Sequence, residues 1–251
     1  VSERPFSQAP GPVIVAHRGA SAERPENTVA AFERAIEIGA DAAECDVRLT
    51  ADGAAVVVHD ATLDRTTDGV GVVASMPAAE VRRLSAGDGP VPILAEVLAC
   101  LSGRIGAVIE LKDLPGEPGH REGSPVVDAT LAAIDEVGFA GPLILISFDP
   151  GALARALELR PGVPTGLLAT PEVAPGEAVA RGVAGGHAAV LPFAPQVLAA
   201  GHPPLEVAHA AGLQLGTWVS DDPDEIAALA ALGVDAIATN DPATALAALG
   251  R

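Results

Sequence analysis

The stretch VIVAHRGASAERPENTVAAFERAIEIGADAAECDVRL, residues 13–49, decides the fold. Its first five residues, VIVAH, are apolar until the last one. Such a run suits a strand covered on both faces, the hallmark of a parallel sheet. The segment ENTVAAFERAIEIGA then places Val29, Phe32 and Ile36 on one helical face, and Gly39 stops the helix. A second apolar run, AAECDVRL (42–49), follows at once. Strand, helix and parallel strand within 37 residues is a β-α-β unit.

The same grammar recurs along the chain. Further apolar runs lie at 107–112, 143–148, 165–169, 188–193, 213–219 and 235–239, which makes eight. Between them, Asp149-Pro150, Asp222-Pro223 and Asp241-Pro242 each put a capping side chain before a first-turn proline. Eight strand–helix units predict an α/β fold, a (β/α)8 TIM barrel, built as one domain over residues 1–251. An open doubly wound sheet is the runner-up. It is disfavoured because no Gly-rich dinucleotide fingerprint follows the first strand. One connection is far too long for a simple turn. After the returning run AVVVHD (55–60), residues of about 60–104 carry turns and short helices. This is a small insertion between the second and third barrel strands, near the active face.

Bulk properties narrow the function. The 251-residue chain carries a formal net charge of −18. That argues against a nucleic-acid partner, since phosphate backbones are bound by basic surfaces. No apolar run reaches membrane-spanning length, so no membrane anchor is expected. The first twelve residues, VSERPFSQAPGP, do not read as a signal peptide, and a cytoplasmic location is the expectation, although a leader removed earlier would escape this reading. Cys45 and Cys100 read as two reduced thiols. The oligomeric state is not legible. An acidic protein that handles an anionic substrate must neutralise charge locally, with a metal or a few placed bases.

The candidate site residues supply both. His17 and Arg18 close the first strand, at the barrel end where active sites lie. Adjacent strand residues face opposite ways, so both reach one site only if the backbone breaks there, and Gly19 permits the break. Glu44 and Asp46 stand two apart on the second run and share a face. Two inward carboxylates repel and are costly to desolvate, and a divalent cation relieves both problems. Glu110 and Lys112 repeat the spacing on the third run. Glu110 completes a three-carboxylate site whose hard oxygens suit Mg2+ or Ca2+. His59 ends the returning run and adds a second imidazole. Two histidines, a cation site, an arginine and a lysine suit phosphoryl chemistry. Trp218, the only tryptophan, can stack on a ligand, and Phe148 and Phe193 can form an apolar wall.

The segments AHRGAS, RPENTVAAFERAIEIGAD, ECDVRLTADGAAVVVHDATLDRTTDGVG, IELK, ISFDP, TWVSDDPDEI and GVDAIATNDP together resemble the glycerophosphodiester phosphodiesterase family over almost the whole chain. The resemblance implies a TIM-barrel hydrolase that cleaves small glycerophosphodiesters to glycerol 3-phosphate and an alcohol. It implies that His17 and His59 are the catalytic acid/base pair and that Glu44, Asp46 and Glu110 bind the cation. It further implies that Arg18 and Lys112 contact phosphate and that Glu26 and Asn27 support the site. Asn240 departs from the pattern, since the family often has Asp there. Two alternatives remain open at this stage. One is a lysophospholipid phosphodiesterase or cyclising lyase on the same barrel. The other is a silent phosphodiester-binding barrel, which the intact set of histidines and carboxylates disfavours.

Overall fold

The structure, a computed structural model, describes Phe6 and residues 11–251. The opening segment of the signal-peptide reading therefore lies largely outside the described residues. Nine strands are present among those described. They are β1 (Val13–His17), β2 (Ala42–Leu49), β3 (Ala55–Val57), β4 (Gly106–Leu111), β5 (Leu143–Ser147), β6 (Thr165–Leu168), β7 (Ala189–Leu191), β8 (Gln214–Thr217) and β9 (Ala236–Thr239). The eight strands other than β3 pair with one another in parallel, and β1 bonds both β2 and β9, which closes an eight-stranded barrel. β3 alone runs antiparallel, against the end of β2. The predicted (β/α)8 architecture is the observed one.

The start and stop signals of the helices act as read, but the first helix buries Ala31, Phe32 and Ala35 rather than the expected face, with Val29 exposed and Ile36 half-buried. In α1 (Val29–Ile38) the Thr28 hydroxyl accepts from the Ala31 amide, and Gly39 ends the helix at φ 90°. Each of the three Asp-Pro starts also holds. The Asp149, Asp222 and Asp241 side chains accept first-turn amides of the helices over Pro150–Leu159, Pro223–Leu232 and Pro242–Ala248. Each such cap stabilises its helix by about 1 kcal/mol.

Strand alternation sorts the core into layers. Outward residues such as Cys45, Val47 and Ile109 pack with Phe32, Leu98 and Leu101 beneath the helices. Inward residues Val15, Val108, Ile146, Leu168, Leu191 and Ala238 fill the barrel interior, where Phe6 also packs. Cys45 and Cys100 are both free thiols. Gly19 is needed for close approach: a Cβ there would lie 2.6 Å from the Ala31 carbonyl carbon, in a residue with φ 81°.

Between β3 and the helix Leu94–Leu101 the chain builds a satellite core from Val56, Val58, Leu63, Val73, Val81, Ala86 and Val91. The inner face of that helix joins the barrel's outer core. Among the described residues, no helix is long and apolar enough to cross a membrane.

Candidate active site

The register of the barrel builds the site. His17 on β1 is level with Glu44 on β2, and Asp46 is level with Glu110 on β4. Level neighbours in a sheet share a face. The four side chains therefore meet as two adjacent rungs, with Lys112 just beyond the end of β4. One oxygen from each of Glu44, Asp46 and Glu110 lies within 4.8 Å of the others, and all three residues are buried. At that spacing each ionised pair repels by about 3 to 4 kcal/mol at an effective dielectric of about 20.

The break that admits Arg18 starts one residue earlier than Gly19. Arg18 itself takes the left-handed conformation, at φ 59°. This turn aims its amide at Glu44 Oε2, 3.0 Å away, and its guanidinium Nε at Asp46 Oδ2, 3.1 Å away. A non-glycine residue held at positive φ stores about 1 to 2 kcal/mol, so the surrounding contacts must impose it. Asn27 is also left-handed, at φ 59°. Its Nδ2 donates to Asp46 Oδ2 at 2.8 Å, its Oδ1 accepts from the Asp46 amide, and its own amide donates to the Arg18 carbonyl. Asn27 thus ties the first two strands together beneath the carboxylates.

Electrostatics follow from this crowding. Burial, reinforced by Asp46 and Glu110, raises the Glu44 carboxyl well above the usual range. Burial likewise pushes Glu110 up to about 7, with Lys112 opposing it. At Asp46 the burial effect is outweighed by Lys112 and Arg18, which hold its carboxyl far down. Burial lowers the Lys112 ammonium, but Glu110 at 2.6 Å and Asp46 at 3.3 Å raise it above its ordinary value. Burial beside Arg18 pulls His17 down to about 4, and burial also lowers His59.

The donor set fits a hard divalent cation. Among the described residues, Glu44 Oε1 is buried with no partner, while Asp46 Oδ1 and Glu110 Oε1 meet only the Lys112 ammonium. With all groups ionised, three carboxylates against Arg18 and Lys112 leave one uncompensated negative charge. A dication turns that into one positive charge, the complement of a phosphodiester monoanion.

His59 enters from the other side, just after β3. Its Nδ1 lies 2.6 Å from Asp60 Oδ1. Arg65 binds Asp60 through Nε at 2.7 Å and grips both Glu26 oxygens at 2.8 Å. Glu26 accepts in turn from Arg18 at 2.9 Å. One chain of charged contacts therefore joins His59 to Arg18 across the insertion. Arg48, two residues past Asp46, donates to the His59 carbonyl at 2.7 Å. Sequence reasoning missed Asp60, Arg65 and Arg48. Asp60 carried a signal, being adjacent to His59, whereas the other two reveal themselves only through contacts across the fold.

His17, Arg18, Glu44, His59, Glu110, Lys112 and Trp218 line one cavity of about 200 Å³ that reaches into the barrel. Its opposite wall is apolar. Phe148 and Phe193 flank Trp218 with ring centres at 5.4 and 5.3 Å, and the Trp218 indole nitrogen is committed to backbone carbonyls. The structure thus brings every candidate residue to one place, with Asp46, Glu26 and Asn27 bracing it from behind. Of the remaining histidines, His120 is paired to Asp113, His209 to Asp235 and His187 to Thr165, all away from this cavity.

A closed parallel barrel with a cation-competent acidic cluster and one imidazole at the carboxyl ends of its strands, joined there by a second imidazole that follows β3, defines a barrel enzyme that handles anionic esters. Comparison with known proteins gives the family. The chain belongs to the glycerophosphoryl diester phosphodiesterase family, whose model matches residues 17–244. It is 34% identical over 244 residues to the glycerophosphodiester phosphodiesterase of Caldanaerobacter subterraneus subsp. tengcongensis, spanning 92% of this chain and 95% of that one. Among solved structures it resembles an Oleispira antarctica phosphodiesterase in complex with the product sn-glycerol-3-phosphate. That match has a TM-score of 0.84 at 27% identity and covers 96% and 98% of the two chains. It is also similar to the glycerophosphodiester phosphodiesterase of Agrobacterium tumefaciens, with TM-score 0.78, 29% identity, and 94% and 99% coverage.

Proposed function

We propose that this enzyme hydrolyses glycerophosphodiesters to glycerol 3-phosphate and an alcohol, with His17 and His59 exchanging protons and Arg18 and Lys112 holding phosphate. The observation that carries this reading is the convergence of both imidazoles with Glu44 and Glu110 on one cavity, with Asp46 completing the three-carboxylate cluster just behind its wall. Glu44, Asp46 and Glu110 would hold Mg2+ or Ca2+, which when bound would supply charge stabilisation for an anionic phosphodiester. The product bound to the Oleispira antarctica relative supports glycerol phosphate as the fragment retained.

The residues divide the work by position. Arg18 and Lys112 place two positive charges beside the phosphoryl oxygens and stabilise charge that builds there. One imidazole removes the proton from the attacking oxygen and the other protonates the departing one. Glycerol carries a hydroxyl beside its ester oxygen. Attack by that hydroxyl gains the advantage of an intramolecular reaction and yields a cyclic phosphate, which water then opens with the histidine roles reversed. The Phe148, Phe193 and Trp218 wall receives the hydrocarbon face of the substrate. Residues 1–251 act as a single catalytic domain, with the insertion of about 60–104 supplying Asp60, Arg65 and one rim of the site. The substrate is a small diester, and the enzyme works in the cytoplasm.

The cyclic route is tested with two diesters that share one alcohol. One carries the neighbouring glycerol hydroxyl and the other lacks it. The route predicts a fall in kcat of at least about 1,000-fold on deletion. Cleavage of both at equal rates would reject it and leave direct attack by water.

A further inference from the structure

Asn240, the residue that departs from the family resemblance, stands beside the catalytic cavity. Its Oδ1 lies 2.8 Å from His17 Nδ1. Whether that contact is made by the amide oxygen or the amide nitrogen decides which ring nitrogen of His17 bears the proton. The neighbours settle the choice. Asp221 Oδ1 accepts from the Asn240 backbone N–H at 2.7 Å and from the Thr239 hydroxyl at 2.9 Å. Asp221 Oδ2 accepts from Asn240 Nδ2, also at 2.7 Å. An ionised carboxylate only accepts, so a flipped Asn240 would set its oxygen against Asp221 at that distance. The side-chain oxygen must face His17, and His17 Nδ1 must donate to it.

Ser21 closes the other side. Its hydroxyl lies 2.8 Å from the His17 carbonyl and 3.0 Å from Asn240 Oδ1, and can donate to either. Where it donates to Asn240, Oδ1 is again the acceptor. The ring's other nitrogen, Nε2, lies 4.0 Å from Glu44 Oε2.

The origin of the arrangement is local. Asp221-Asp222-Pro223 and Asn240-Asp241-Pro242 are successive strand–helix junctions with the same grammar. In each, the second residue caps the following helix. The first residue is left free to point sideways, and the two meet between neighbouring strands.

We propose that Asn240, held by Asp221, is a positioning residue that fixes His17 in the Nδ1–H tautomer and presents Nε2 bare toward the substrate as proton acceptor. The proposal rests on the reading of His17 as an acid/base group and names the device that prepares it. It also separates the two histidines. The Nδ1 of His59 meets a carboxylate, Asp60, whereas the Nδ1 of His17 meets a neutral amide.

The test reads the ring directly, by 15N NMR of the full chain at pH 8 without substrate, with the His17 signals assigned from their loss in His17→Ala. The wild-type ring is expected to carry its proton on Nδ1. Asn240→Leu removes the acceptor, and is expected to scramble the tautomers and lower kcat about 10- to 100-fold while KM stays within about twofold. The double exchange Asn240→Asp with Asp221→Asn restores donor and acceptor in reversed positions, and should recover the Nδ1–H signal and kcat to within about tenfold. A wild-type ring protonated on Nε2 overturns the proposal, whatever the variants do. So does an Asn240→Leu protein that keeps both the tautomer and kcat. An Nδ1–H ring in a protein that cleaves no glycerophosphodiester would instead refute the catalytic reading alone.

Discussion

Replacing Asn27 tests how the first β-α turn holds the acidic cluster. The residue is 4% exposed and sits at φ 59°, so two penalties can be separated. Asn27→Gly keeps the backbone comfortable but removes the side chain. It deletes the 2.8 Å bond to the Asp46 carboxylate and the longer 3.3 Å bond from the Asp46 amide. A bond to a charged group contributes about 1.5 to 3 kcal/mol and a neutral one about 1, so the loss should be about 2 to 4 kcal/mol. Asn27→Ala loses the same bonds and must also hold a Cβ in the left-handed region, at a further cost of about 1 kcal/mol. Urea unfolding of the cation-free chain would measure both variants. Alanine should be the less stable substitution, with an unchanged dependence on denaturant. If alanine equals or exceeds glycine, the conformational argument fails. If both lie within about 0.5 kcal/mol of the parent, the brace itself is refuted.

Other expectations follow from the same cluster. Glu110 titrates at about 7 in the folded cation-free chain against 4.5 for the free side chain. Folding therefore favours its protonated form, and its contribution to stability is lost as pH rises from about 4.5 through 7, by about 3 kcal/mol. The cation-free chain should melt lower at pH 8 than at pH 6 on this account, while the gain in melting temperature from saturating Mg2+ should be larger at pH 8. A cation effect that is equal at both pH values would contradict the coupling. Glu44→Gln should weaken cation affinity about 10-fold or more in calorimetric titration, and an unchanged affinity would reject the site as drawn. His17→Ala should lower kcat by about 100-fold or more with circular dichroism and unfolding midpoint preserved, and near-normal turnover would remove it from the chemistry.

The barrel was legible in the sequence because its units obey local rules. Apolar runs, Asp-Pro starts and Gly39 all act within a few residues of where they stand. The carboxylates were legible for the same reason, since period-two spacing puts Glu44 with Asp46 and Glu110 with Lys112 on shared faces. What escaped depends on distant partners. Nothing near Arg65 announces that it joins Glu26 to Asp60, and nothing near Asp221 announces Asn240. The reading that Gly19 breaks the first strand missed Arg18 itself, whose left-handed turn is imposed by contacts to Glu44, Asp46 and Asn27. Arginine carries no intrinsic preference for that conformation.

The central claim is that the enzyme releases glycerol 3-phosphate through a cation held by Glu44, Asp46 and Glu110. The most direct measurement follows that release from glycerophosphocholine and glycerophosphoethanolamine with added Mg2+ or Ca2+, then with excess EDTA, then with the cation restored. The account predicts release that EDTA abolishes and restored cation recovers. Full release in the presence of EDTA, or none with either cation, would contradict it.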